Sequence, residues 1–341
     1  MKQSLQKFYS IVFILLNVTL FSCTKDPVFE SQENSIMQIP EGFPSITFPQ
    51  GNEFTIERWQ LGKRLFYDPI MSVNNSISCA SCHHAQNAFS DTIAFSIGDN
   101  NQIGRSNAPT LTNIAYHPYF TRAGGVPTLE MQILVPIQEH DEFNTNILDI
   151  VEKLKKDSSY TQASRIAYNR EIDPFVITRA IANFERSLIS GNSDFDKNNF
   201  SSSALNGKNL FMSNKTNCSQ CHSGFNFTNY TFENNGLYTN YADSGRMRLT
   251  QLESDRARFK VPTLRNAQLT APYMHDGSIK TLEEVVAHYN TGGKIHANKS
   301  TFIKPLGLTQ EEQNDIVAFL KTLTDYTFIN NKNLQKWNSK K

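Results

Sequence analysis

The pattern Cys-x-x-Cys-His occurs twice, at Cys79-Ala80-Ser81-Cys82-His83 and at Cys218-Ser219-Gln220-Cys221-His222. Two thiols at this spacing reach the two vinyl groups along one edge of a porphyrin, and the adjacent imidazole reaches the iron. Two covalently bound haem c groups are therefore the expected cofactors, held by Cys79, Cys82, Cys218 and Cys221 with His83 and His222 on the irons. A zinc site built from the four cysteines is the competing reading. It fails on context, because each pair carries its own His and the chain reads as exported.

Haem replaces much of a side-chain core, so a chain built around it needs few helices and tolerates long loops. With 341 residues there is room for two such units. Apolar periodicity predicts helices over about 54–67, 128–137, 145–155, 159–169, 173–189, 202–212, 280–289 and 309–323, while strand signals are weak. The order helix, Cys-x-x-Cys-His, long loop, helix thus recurs as an internal repeat. The expected fold is mainly α: two cytochrome c-like haem domains, 51–195 and 196–330, with little strand and a polar tail at 331–341. A balance of 33 basic against 32 acidic side chains offers no field for nucleic acid.

The N-terminus carries Lys2 and Lys7 ahead of an apolar run, Ile11 to Phe21, ending in Leu20-Phe21-Ser22-Cys23. This reads as a lipoprotein-type signal peptide over 1–22, with Cys23 lipidated; an ordinary secretory peptide with an incidental Cys is the alternative. Residues 23–50, with Pro27, Pro40, Pro44 and Pro49, read as a tether. The expected location is exported and periplasm-facing, with anchorage to the outer membrane through the lipid alone.

Several segments go further: LGKRLFYDPIMSVNNSISCASCHHAQNAFSD, SNAPTLTN, QILVPIQEHDEF, CSQCHSGFNFTN and FKVPTLRNAQLTAPYMHDGSIKTLEEVVAHYNTGG. Together they resemble the bacterial dihaem cytochrome c peroxidase and MauG-like family over most of residues 54–325. The resemblance implies a peroxide site at the N-terminal haem and an electron-transfer site at the C-terminal one. Gln132 and Glu142 fall on the family's distal Gln and catalytic Glu. The His that caps the resting N-terminal iron in the peroxidases is replaced by Asp99, which implies an open iron; His84 and His117 are weaker substitutes. Tyr289 falls where the MauG-like branch places a Tyr ligand to the second iron, Met274 and His288 being alternatives, and His275 lies near that haem. Arg122 stands where the family has an inter-haem Trp; Trp59 reads as core. A calcium ion is implied at Asn107 and the carbonyls of Thr270 and Pro272.

The activity implied is reduction of hydrogen peroxide with electrons from a small redox protein, a cytochrome or cupredoxin. A MauG-like oxidase acting on a protein or small organic substrate is the alternative, and a plain electron-transfer dihaem cytochrome a third reading. A homodimer is compatible with all of them.

Overall fold

The computed structural model describes residues 36–337. The signal segment and Cys23 lie outside this range. In chain order the α-helices are α1 (Ile56–Tyr67), α2 (Leu129–Gln132), α3 (Leu134–Gln138), α4 (Ile147–Leu154), α5 (Ser158–Tyr168) and α6 (Pro174–Arg186) in the first half. The second half carries α7 (Ser202–Phe211), α8 (Cys218–Cys221), α9 (Met247–Thr250), α10 (Leu282–Thr291), α11 (Gln310–Lys321) and α12 (Tyr326–Ile329). The one sheet among the described residues pairs β1 (Phe232–Glu233) with β2 (Phe259–Lys260), antiparallel. The chain is mainly α, as expected. No helix among the described residues is long and apolar enough to cross a membrane.

Local chemistry sets the helix starts. Asp173 precedes Pro174 and accepts from the Val176 amide, which supplies both the cap and a first residue with its φ preset. Thr281 with Glu284 and Thr309 with Glu312 form capping boxes that open α10 and α11. The helix expected over 128–137 arrives in two pieces, α2 and α3. Pro136 has no N–H to give to the Gln132 carbonyl, so the ladder is interrupted there.

The internal repeat is visible in the packing. α1 lies against α6 in the first half, and α7 against α11 in the second. Each crossing is closed at a glycine: a Cβ on Gly62 would stand 1.8 Å from the Ala180 carbonyl oxygen, and one on Gly207 1.8 Å from that of Asp315. Two apolar cores result. One gathers α1 and α4–α6 around Phe66, Phe89 and Phe184, and the other gathers α7, α10 and α11 around Phe211, Phe227 and Phe319.

Two segments expected to be peripheral are packed. In the presumed tether, Phe43 lies 4.6 Å from the Phe225 ring and Arg265 stacks over it, so residues 36–50 lean on the body. At the other end Phe328 and Leu334 are buried in the first core, and the Tyr67 hydroxyl donates to the Leu334 carbonyl. The C-terminal stretch therefore returns to the first half, because its two apolar side chains find their cover there.

Candidate active site

One cavity of about 880 Å³ is lined by Cys79, Cys82 and His83 from the first half and by Cys218, Cys221 and His222 from the second. Cys79 opens a 3₁₀ turn and Cys218 opens α8, so the cysteines of each pair, three residues apart, share one face of a helical turn. The turn carries on into the histidine: the His83 amide donates to the Cys79 carbonyl at 3.0 Å and the His222 amide to the Cys218 carbonyl at 2.9 Å.

Each ring is then oriented by a phenylalanine backbone. His83 Nδ1 donates to the Phe89 carbonyl at 2.8 Å and His222 Nδ1 to the Phe227 carbonyl at 3.0 Å. A carbonyl can only accept, so the proton sits on Nδ1 and the Nε2 lone pair is left for a metal. Burial lowers the pKa of both imidazoles, that of His222 to about 4, which keeps them neutral as ligation requires. Phe89 and Phe227 both have positive φ, 58° and 49°, a conformation rare for a bulky residue. With apolar walls, paired thiols and a prepared imidazole in each half, the donor sets fit two covalent haems.

On the first-half side the cavity also takes in Gln132 and Glu142. The Gln132 Oε1 is buried without a hydrogen-bond partner among the described residues. Glu142 rides on a turn tied down by its backbone, its amide donating to the Glu139 carbonyl and its carbonyl accepting from the Asp99 amide at 2.8 Å. Gly98 makes that seat possible, since a Cβ there would stand 2.2 Å from the Asp141 carbonyl oxygen. The Glu142 side chain is exposed, but to the cavity, with protein on its other sides. That burial, followed by the charges of Asp141 and Glu139, pushes its carboxyl up to about 7. Asp141, although it stands in the acidic stretch Glu139-His140-Asp141-Glu142, is buried and paired with Arg105 at 2.8 Å.

Asp99 is not among the residues lining the cavity. Its carboxylate accepts from the Asn74 amide and Nδ2 and from the Asn100 amide at 2.8–3.0 Å. Burial pushes its pKa up, but hydrogen bonds from Ser72, Asn74 and Ser76 outweigh that and hold it at about 2. His84 is likewise turned away, 3.6 Å from Asp91. His117 does reach the cavity: its Nδ1 accepts from Lys260 Nζ at 3.1 Å, and its Nε2 is buried without a partner among the described residues. Glu185 was not anticipated. It lines the same space from α6 and burial pushes its carboxyl to about 8; a Glu interrupting the apolar stripe Ile181, Phe184, Leu188 was the available signal.

On the second-half side Tyr289 and Met274 both line the cavity. Asn235 Nδ2 donates to Met274 Sδ at 3.1 Å. Burial pushes the Tyr289 phenol up to about 12, so it holds its proton unless a metal replaces it. Met274 sits at φ 76°, a strained position for a non-glycine residue. His288 turns elsewhere, its Nε2 bonding to the Asn235 carbonyl at 3.0 Å. The His275 ring stacks on Phe259, with centroids 4.3 Å apart, and its carbonyl accepts from the Asn107 amide.

Between the halves lies Arg122. Its Nε and Nη2 donate to the Asn107 carbonyl at 2.9 and 2.7 Å, and Nη2 also donates to Asn107 Oδ1 at 3.0 Å. Thr270 and Pro272 line the same cavity. The side-chain oxygen of Asn107 expected to face calcium thus already faces a guanidinium, and this donor set does not fit a free divalent ion. Neither Trp takes up the inter-haem position: Trp59 is buried in the first core, donating to Ser187, and Trp337 is half-exposed.

Two cytochrome c units joined around a shared cavity, one of them with a carboxyl and an amide beside its haem-binding motif, define a dihaem c-type oxidoreductase. The chain belongs to the dihaem cytochrome c peroxidase (MauG) family. The family model described as Di-haem cytochrome c peroxidase matches residues 56–203, and the Cytochrome c model matches 204–324. The chain is similar to the methylamine utilization protein MauG of Methylorubrum extorquens, at 35% identity over 82% of this chain and 81% of that one. It is also similar to the cytochrome c551 peroxidase of Nitrosomonas europaea, at 37% identity over 78% of this chain and 79% of that one. Among solved structures, a MauG-like protein associated with microbial copper homeostasis superposes with TM-score 0.84 and 32% identity, covering 87% of this chain and 98% of that chain.

Proposed function

We propose that this protein is a dihaem peroxidase that reduces hydrogen peroxide to water at the haem of His83, drawing electrons from a small redox protein through the haem of His222. The observation that carries the reading is the Glu142 carboxyl, with its raised pKa, facing the cavity that His83 also lines. A haem held by Cys79, Cys82 and His83 would supply the iron centre for O–O cleavage, with the electrons coming from the redox protein.

The protein's own groups manage the proton. Glu142 takes it from the near oxygen of peroxide and returns it to the departing one, a role suited to a carboxyl with a pKa close to the working pH. Gln132, whose Oε1 has no hydrogen-bond partner among the described residues, orients the peroxide. The Asp99 carboxylate is engaged by its own loop, so it would not cap a haem held by His83. At the second haem the proposed ligand is Tyr289, with Met274 the alternative and His275 in support. Calcium is no part of this reading.

A second reading, a MauG-like oxidase that withdraws electrons from a partner protein or organic molecule, is favoured by the Tyr289 and Asp99 positions. On either reading the chain is exported, and Cys23 is the proposed point of lipid attachment. The experiment is a steady-state assay with peroxide and a reduced small cytochrome. Peroxide-dependent cytochrome oxidation supports the peroxidase; its absence, with a redox partner protein oxidised instead, favours the second reading.

A further inference from the structure

We infer that Arg122 is a built-in cation at the seam between the two haem domains, holding Asn107 in the way a bound divalent metal would, so that the protein works without calcium. The geometry rests on three hydrogen bonds from one guanidinium to the two oxygens of Asn107, at 2.7–3.0 Å. The direction of the Asn107 amide is fixed independently, since its Nδ2 donates to the Ile93 carbonyl at 3.2 Å and Oδ1 is thereby left for the cation. Its main chain is tied across the seam as well, the Asn107 amide donating to the His275 carbonyl at 2.9 Å.

Arg122 is itself held from the second half, where the Lys260 amide donates to its carbonyl at 2.7 Å. The charge has counterparts, for the carboxylates of Asp243 and Asp276 act on it. The Arg122 guanidinium therefore holds Asn107, and the Asn107 amide in turn holds the His275 carbonyl of the second half. Calcium prefers six to eight oxygen ligands at about 2.3–2.6 Å. To use Asn107 Oδ1 it would have to approach a guanidinium already bonded to that atom, and like charges repel strongly where water is excluded. A guanidinium keeps its charge and cannot be washed out, so the seam stays closed whatever the calcium level.

The test is calcium titration calorimetry, with elemental analysis, on the chelator-treated holoprotein and its Arg122→Ala variant. The wild type is expected to carry no calcium and give no binding heat, with both haem spectra unchanged by chelator. Arg122→Ala is expected to take up one calcium per chain, and to lose that uptake when Asn107→Ala is added. A wild type that binds one calcium per chain overturns the inference. So does an Arg122→Ala protein that folds with both haems and remains as calcium-free as the wild type.

Discussion

His83 donates from Nδ1 to the backbone carbonyl of Phe89 at 2.8 Å, and Phe89 presents that carbonyl from a positive φ of 58°. The second half repeats the arrangement with His222 and Phe227. A fully buried aromatic thus pins a strained backbone, and the strained backbone pins the ligand. Truncating either ring removes the packing that holds the carbonyl. Phe89→Ala is expected to cost about 3–5 kcal/mol in chemical denaturation, and to perturb the electron paramagnetic resonance signal of the His83 haem while sparing that of the His222 haem. Phe227→Ala is expected to do the reverse.

Glu142→Gln keeps the shape and removes the proton carrier. Peroxide turnover is expected to fall roughly 100- to 10,000-fold, with both haem absorption spectra intact. Steady-state kinetics decide it, and an unchanged rate removes Glu142 from the mechanism.

Gly98→Ala acts on the same group through its seat. The new Cβ would meet the Asp141 and Glu142 carbonyl oxygens at 2.2 and 2.8 Å, so the turn carrying Glu142 must move. Turnover is expected to drop while the haem content stays at two per chain. A tenfold loss corresponds to about 1.4 kcal/mol of transition-state stabilisation.

Lys63 is fully buried, its amine has no hydrogen-bond partner among the described residues, and it lies over the rings of Trp59 and Trp337 at 5.3 and 4.4 Å. Burial lowers its pKa from 10.5 to about 8. Between these two values the unfolded chain binds more protons than the folded one, so stability rises with pH across roughly 8 to 10.5 and is lowest below 8. Lys63→Met is expected to abolish that rise and to add on the order of 1–3 kcal/mol at pH 7. Urea denaturation at several pH values measures it.

The parts legible in the sequence are those written in short range. The haem motifs, the stripe Val176, Ile177, Ile181, Phe184 of α6 and the capping boxes at Thr281 and Thr309 depend only on near neighbours. Contacts between distant segments were not legible. Nothing near Phe328 or Leu334 announces that they close the first core, nothing near Phe89 announces its left-handed backbone, and the reach of Arg122 to Asn107 exists only once the two halves meet. The acidic run 139–142 shows both cases: its composition suggests a solvated face, yet Asp141 is buried against Arg105 and Glu142 faces a cavity that the fold alone creates.

Electron paramagnetic resonance of the oxidised holoprotein tests the asymmetry of the two haems most directly. One high-spin ferric signal, from an iron open beside Glu142, and one low-spin signal that changes in Tyr289→Phe are the expected result. Two low-spin signals in the wild type would contradict an open site at His83.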